Sequence, residues 1–231
     1  MPTMHDSVEA CTALGGKYLA KGDTEAALTA FKKAYVVVKK SGATDSIRRA
    51  MFNLGAVHVA AEKFSEGIDI LKSAAALETS SNEADPLGGD IYYNLGLACE
   101  SQGSDAEAIR YFESAAKMYA VRQGNNLTVG EVKCRLGRQY SRQEEYGKAA
   151  KAYGIAALAY ESAGDKEQQA ICLCHQASLL EMDKRSEDAL TTAAQCVVLC
   201  QNIPEANGIG KLSKLSVIKI ALTIKKMFNK L

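Results

Sequence analysis

Tyr93-Asn94-Leu95-Gly96-Leu97-Ala98-Cys99 is the stretch that decides the fold, through the Leu-Gly pair at its centre. The pair recurs at Leu14-Gly15, Leu54-Gly55 and Leu136-Gly137, so its glycines stand 40, 41 and 41 residues apart. A further step of 40 residues arrives at Ala177, a degraded fifth copy. Self-similarity at a fixed period in this range means stacked supersecondary units rather than one irregular globule. Three positions after each glycine comes Tyr18, His58, Cys99 or Tyr140.

Each unit then shows a second pattern, a small residue followed by a large one four positions on and a small one three beyond that. The series is Ala27/Phe31/Ala34, Gly67/Leu71/Ala74, Ala108/Phe112/Ala115, Ala149/Tyr153/Ala156 and Ala189/Ala193/Cys196. Offsets of four and three place all three side chains on one helical face. Small residues let two helices approach closely, and the large one fills the space between them. Ser104-Asp105-Ala106-Glu107 and Thr128-Val129-Gly130-Glu131 both read as capping boxes at helix starts. Polar, glycine-bearing stretches at 80–89, 123–126, 162–165 and 201–210 separate the units.

These residues resemble the tetratricopeptide repeat, an antiparallel helix pair, over residues from about 7 to 200. The usual repeat is about 34 residues long. The longer units of this chain look similar to the subset that includes the spindle-orientation Leu-Gly-Asn adaptor, kinesin light chain and rapsyn. The extra residues are expected to extend the second helix and the loop that follows it. The resemblance implies an all-α fold, a right-handed α-solenoid of about five antiparallel helix pairs. The array occupies 1–210, with units at about 7–43, 46–84, 87–126, 128–164 and 166–203, and residues 211–231 form a capping helix.

Bulk composition agrees with a folded, soluble chain. Of 231 residues, 47% are hydrophobic and 24% charged, and the net charge is +1, so no global field attracts nucleic acid or membrane. The charge is uneven. Residues 211–231 hold six lysines and no acid, leaving 22 basic against 27 acidic residues elsewhere. The first eleven residues lack the charged-then-apolar pattern of a signal peptide, and no apolar run is long enough to span a membrane. Seven cysteines, an odd number inside helical patterns, read as reduced thiols in a cytoplasmic protein.

The resemblance implies a protein or peptide ligand held in a groove lined by the first helices of the repeats. The family carries an asparagine before the leucine that hydrogen-bonds the ligand main chain, and Asn53 and Asn94 occupy that slot. An amide offers both a donor and an acceptor to a peptide unit. Arg135 and His175 fill the slot in units four and five, and Ala13 in unit one. Arg135, Arg138 and Arg142 are spaced by three and four, so they project from one side of a helix, and Arg49 is expected to join their surface. Guanidinium groups favour carboxylate or phosphate through forked hydrogen bonds, which points to an acidic ligand. Tyr93 and Phe52 supply apolar contacts beside the asparagines. The family's clamp for a terminal carboxylate needs lysine and asparagine where this chain has Thr12 and Gly16.

Other chemistry finds little support. Cys172, Cys174 and His175, with Cys196 and Cys200, would supply zinc ligands, but a Cys-x-Cys pair in a helix points to different faces, so buried thiols are the expectation and no metal is assigned. His5 lies near the terminus and His58 in a packing slot. No nucleophile elbow, phosphate loop or paired acids appear, so neither a cofactor nor catalytic residues are assigned and no enzyme is expected. In 211–231 the residues Val217, Ile220, Ala221, Ile224, Phe228 and Leu231 make an apolar stripe suited to capping, while Leu215, Ile218 and Leu222 lie on another side. The excess raises an alternative, a structural assembly protein in which this helix mediates self-association or touches an anionic membrane surface. A vesicle-fusion adaptor of the soluble attachment type, which also stacks helix pairs, is a weaker alternative because the Leu-Gly slots are clear.

Overall fold

The computed structural model describes residues 4–77, 85, 87–121 and 126–201, with side chains described from residue 7 onward. Among the described residues there are ten α-helices and no strand. The expected cap at 211–231 lies outside them, as do the separators at 80–84 and 123–125 and the one after Gln201. Two compact units divide the chain, Met1–Val121 and Arg122–Leu231.

Unit 1 contains α1 (Met4–Ala20), α2 (Thr24–Lys39), α3 (Thr44–Ala60), α4 (Phe64–Ala76), α5 (Gly88–Ser101) and α6 (Asp105–Ala120). Consecutive helices pack in pairs, α1 with α2, α3 with α4 and α5 with α6, and each pair stacks on the next through α2 with α3 and α4 with α5. Unit 2 contains α7 (Asn126–Arg142), α8 (Tyr146–Ala163), α9 (Lys166–Met182) and α10 (Ser186–Gln201), packed in the same sequential order. The extra length of the repeat lies in both helices of a pair, 17 and 18 residues in α7 and α8, and not only in the second.

The small-large-small series is buried throughout, from Ala27 and Ala34 around Phe31 to Ala189 and Cys196 around Ala193. The Leu-Gly glycines explain the close approach of the paired helices. A Cβ on Gly15 would come within 2.8 Å of the Phe31 ring, and one on Gly55, Gly96 or Gly137 within 2.5–2.6 Å of Leu71, Phe112 or Tyr153. Each glycine is thus the socket for the large residue of its own repeat. In the fifth repeat both partners change, and Ala177 packs on Ala193.

The leucines serve the stacking of one pair on another. Leu54 packs with Ala27, Leu28 and Phe31, and Leu95 with Leu71 and Ala74. Leu14 has no described helix before it and is 45% exposed.

A second rung repeats seven residues before the first, two turns along the helix. Gly89 faces Tyr119 and Gly130 faces Tyr160, where added Cβ atoms would meet the rings at 2.7 and 2.9 Å. In the third hairpin the Tyr119 hydroxyl also donates to Asp90 at 2.5 Å. Ala170 continues the rung in the fifth repeat beside Cys200.

Backbone hydrogen bonds close each hairpin in the same way. The N–H of Asp23, Lys63, Ser104, Glu145 and Arg185 donates to the carbonyl of Tyr18, His58, Cys99, Tyr140 and Leu180 at 2.8–3.0 Å. The preceding residues, Gly22, Glu62, Gly103, Glu144 and Lys184, have φ of 59–77°. Both features define a Schellman termination, in which a left-handed residue satisfies the orphan carbonyls of the helix end. The expected capping boxes do not form. The Ser104 side chain makes no cap hydrogen bond, and Thr128 lies inside α7 rather than before it. Side-chain caps come instead from Asp23 and Asp165, which accept from the N–H of Ala26 and Gln168, each at 3.0 Å.

Candidate functional site

In unit 1 the first helices α1 and α3 frame a cavity of about 670 Å³. Val8 and Thr12 line it from α1, and Arg49, Ala50 and Asn53 line it from α3. The Leu54-Gly55 pair is buried against α2 and α4, which leaves the preceding turn of α3 to present Arg49 and Asn53 to this space. Glu9 and Asp45 also line it, so its charge is mixed.

Asn94 and Tyr93 occupy the corresponding turn of α5. Asn94 Nδ2 donates to the Asp90 carbonyl at 2.9 Å, which orients the amide along its own helix. Tyr93 leans on Phe112, with ring centroids 5.9 Å apart and planes at 51°. Phe52 packs with Leu71, Ala74, Ile91 and Leu95.

Arg48, beside Arg49, was not anticipated as a structural residue. It is 5% exposed and forks onto Asp85 at 2.5–2.7 Å, while its Nε donates to the Ala74 carbonyl at 3.0 Å. The hydrogen bond from Arg48, against a smaller opposing effect of burial, holds the Asp85 carboxyl below its ordinary range. The signal in the sequence is register, because Arg48 stands 41 residues before Gly89 and fills the slot of the second rung. His58 is also buried, which pushes its imidazole toward the neutral form, with Lys32 adding to the effect.

In unit 2 the first helices α7 and α9 frame a cavity of about 390 Å³. Arg138, Ser141 and Arg142 line it from α7, and His175 and Ser178 from α9. Tyr153 of α8 forms its floor, stacked on His175 with centroids 4.9 Å apart and planes at 25°. Burial pushes the Tyr153 phenol up to about 12, with Arg138 acting against it as a nearby cation and hydrogen-bond partner. His175 is pushed down by burial first and by Arg138 second. The expected arginine trio is therefore divided. Arg138 and Arg142 share the cavity, whereas Arg135 reaches back to Glu131 at 3.9 Å on its own helix. Arg49 belongs to the separate unit 1 cavity.

The unit 2 arrangement combines two guanidinium groups, an imidazole and three hydroxyls within one small concavity. It is rich in donors, and its only formal charges are positive. Such a lining complements a carboxylate or phosphate group. No trio of metal-ligating side chains converges among the described residues, and none of their helices is long and apolar enough to cross a membrane.

Comparison with known proteins agrees with the hairpin geometry. Residues 46–120 match the tetratricopeptide repeat family model. Tetratricopeptide repeat protein 29 of Macaca fascicularis and of Homo sapiens is 25% identical over 140 residues, 61% of this chain but only 29% of those relatives. A signal-transduction ATPase with a tetratricopeptide repeat sensor from Pyrococcus horikoshii superposes with a TM-score of 0.75 at 15% identity, covering 99% of this chain and 37% of that one. A Podospora anserina protein described as a kinesin light chain with nearly identical TPR-like repeats gives 0.69 at 14% identity, covering 86% and 97%. Residues 46–120 are of tetratricopeptide-repeat type, and the described residues are all-helical, with the fold of solved solenoids of that kind.

Proposed function

We propose that this chain is a protein-interaction adaptor whose first-helix faces hold a partner polypeptide, and that the partner is acidic. The observation that carries the reading is the pairing of Arg138 and Arg142 with His175 around one cavity. Fold alone does not fix function, so the argument rests on that lining. An acidic side chain entering it meets two forked donors, of which Arg138 is already held by Tyr153. Asn53 and Arg49 in the unit 1 cavity and the oriented amide of Asn94 add main-chain and charge contacts.

The test is a fluorescence anisotropy titration of acidic peptides and their charge-reversed counterparts. Wild type should favour the acidic set. Arg138→Glu should weaken it by roughly a hundredfold, since breaking a charge-assisted contact costs about 2–3 kcal/mol. Circular dichroism should be unchanged, because Arg138 is exposed. Equal affinity in the variant removes this cavity from the mechanism.

A second reading, assembly through the C-terminal segment, has one observation in its favour. The face of α10 bearing Leu190, Ala194 and Leu199 borders an open cavity of about 710 Å³. A chain ending at residue 210 separates the two. Loss of self-association with peptide binding intact supports assembly, and the opposite result supports the adaptor.

A further inference from the structure

Four of the seven cysteines stand in unit 2 as two close pairs. Cys134 Sγ lies 3.2 Å from Cys172 Sγ, and Cys174 Sγ lies 3.3 Å from Cys196 Sγ. No cysteine is disulfide-bonded among the described residues.

The pairs differ in access and in where the proton resides. Cys174 and Cys196 are both buried, and Cys196 donates to the Ala170 carbonyl at 3.2 Å. That bond and the surrounding apolar packing favour the inert thiol form. Cys134 is half-buried and sits one turn before Arg138. Hydrogen bonds from the Cys172 thiol and from Tyr160, with the Arg138 charge beyond them, hold the Cys134 thiol below its ordinary range. Cys172 is buried and pushed up, chiefly because it keeps its proton to donate to Cys134. Negative charge is thus favoured on the more accessible sulfur, with a protonated sulfur in contact behind it.

We propose that Cys134 and Cys172 form a peroxide-oxidisable dithiol that closes to a disulfide between α7 and α9, while Cys174 and Cys196 stay reduced. The Cys134 thiolate attacks one oxygen of hydrogen peroxide and the O–O bond breaks. Cys134 becomes a sulfenic acid, and the departing hydroxide takes a proton to leave as water. The Cys172 sulfur then attacks the Cys134 sulfur, the S–OH bond breaks, and the second hydroxide leaves as water with the Cys172 proton. The two sulfurs together lose two electrons and the peroxide gains them. The geometry asks for little motion, closing 3.2 Å to the roughly 2.05 Å of an S–S bond.

The new bond would tie together the two helices that carry Arg138, Arg142 and His175. This consequence for binding rests on the adaptor reading, whereas the disulfide itself does not.

The experiment exposes the full reduced chain to hydrogen peroxide, alkylates the remaining thiols and maps the peptides by mass spectrometry. The expected result is a cross-linked peptide joining Cys134 to Cys172. The Cys174–Cys196 cross-link should appear at least roughly tenfold more slowly, as thiolate character and exposure govern reactivity. Cys172→Ala should leave a sulfenic acid on Cys134 that dimedone traps. A wild-type chain whose Cys134 stays reduced, or is oxidised without joining Cys172, overturns the proposal, as does earlier closure of Cys174 with Cys196. The decisive readout is on wild type, so a poorly folding variant does not obscure it. Anisotropy with the acidic peptides, before and after oxidation, then reads the binding consequence. Peptides that bind in neither state count against the adaptor reading and leave the disulfide standing.

Discussion

In unit 1, one hairpin is tied to the next by charge: Arg48 of α3 forks onto Asp85 and onto the end of α4. In unit 2 a tie at a different register, between α7 and α9, is a contact of two sulfurs, Cys134 with Cys172. The hairpins themselves are alike in both units, with the same left-handed turn throughout and a glycine socket in all but the fifth repeat. The difference shows that the backbone of a repeat tolerates unrelated chemistry wherever the helices need only a filler of the right size. It also gives the units different sensitivities. Asp85 is held below its ordinary range, so its contribution is present above the unfolded-state value and is lost as pH falls through the folded one. Tyr153 is pushed up to about 12 by burial, so the neutral phenol contributes below the unfolded-state value, and that contribution is lost as pH rises toward 12.

Removing the ion pair is the harshest way to break this contrast. Arg48→Ala strands a half-buried carboxylate and the Ala74 carbonyl and should cost about 2–4 kcal/mol, somewhat less than loss of one partner of a fully buried pair, read as a lowered urea midpoint. Hydrogen exchange should lose protection in α3 and α5 and keep it in α8 and α9. In the wild type, acid below the ordinary carboxylate range should reproduce that pattern, and strong alkali should weaken α8 first. Uniform loss along the chain in both conditions would show that the contrast does not govern stability.

The shared socket comes next. Gly96→Ala and Gly137→Ala each force a methyl into an aromatic ring and should cost about 1–3 kcal/mol by overpacking. Adding Tyr153→Ala to Gly137→Ala recreates the alanine pair of the fifth repeat. The double variant should be more stable than the sum of the two single costs predicts, by about 0.5–3 kcal/mol of coupling. Strict additivity in thermal denaturation would mean that the ring and the glycine are not partners.

Gln139 sharpens the comparison from the other side. It stands in the slot held by Val57, Ala98 and Leu179, it is fully buried, and neither amide atom has a partner among the described residues. Gln139→Leu should therefore stabilise the chain by about 1–3 kcal/mol, through relief of an unmet desolvation cost. A lower unfolding midpoint would reveal that the amide is satisfied in solution.

The smallest effect is at the turns. Glu62, Glu144 and Lys184 hold the left-handed conformation that Gly22 and Gly103 adopt without strain. Each change to glycine should gain about 0.5–1 kcal/mol, and the three should add, being one per repeat.

The Leu-Gly period and the small-large-small face were readable because the same residue types recur where close packing demands them. The second rung was not, since its slot passes through Val8, Arg48, Gly89, Gly130 and Ala170 and keeps only its position. The helix start at Ser104 was legible, but its side chain makes no cap bond and the main chain of the preceding turn closes the junction instead, whereas Thr128 was misread because α7 already begins at Asn126. The arginine spacing identified a helix face, but spacing cannot reveal that Arg135 turns back to Glu131 while Arg138 meets Tyr153 from another helix. The thiol pairs were equally hidden, as Cys134 and Cys172 are 38 positions apart.

Closure of every hairpin by main chain alone makes phase, rather than identity, the quantity that mutation must respect. One residue inserted after Gly22 would turn α2 by about 100° against its mate and swing Phe31 away from Gly15. The same insertion beside Gly42, between two hairpins, would leave both ring-and-socket seats undisturbed. Length variation in such a chain is therefore expected to collect at the joints between modules, as slack does in the couplings of a train.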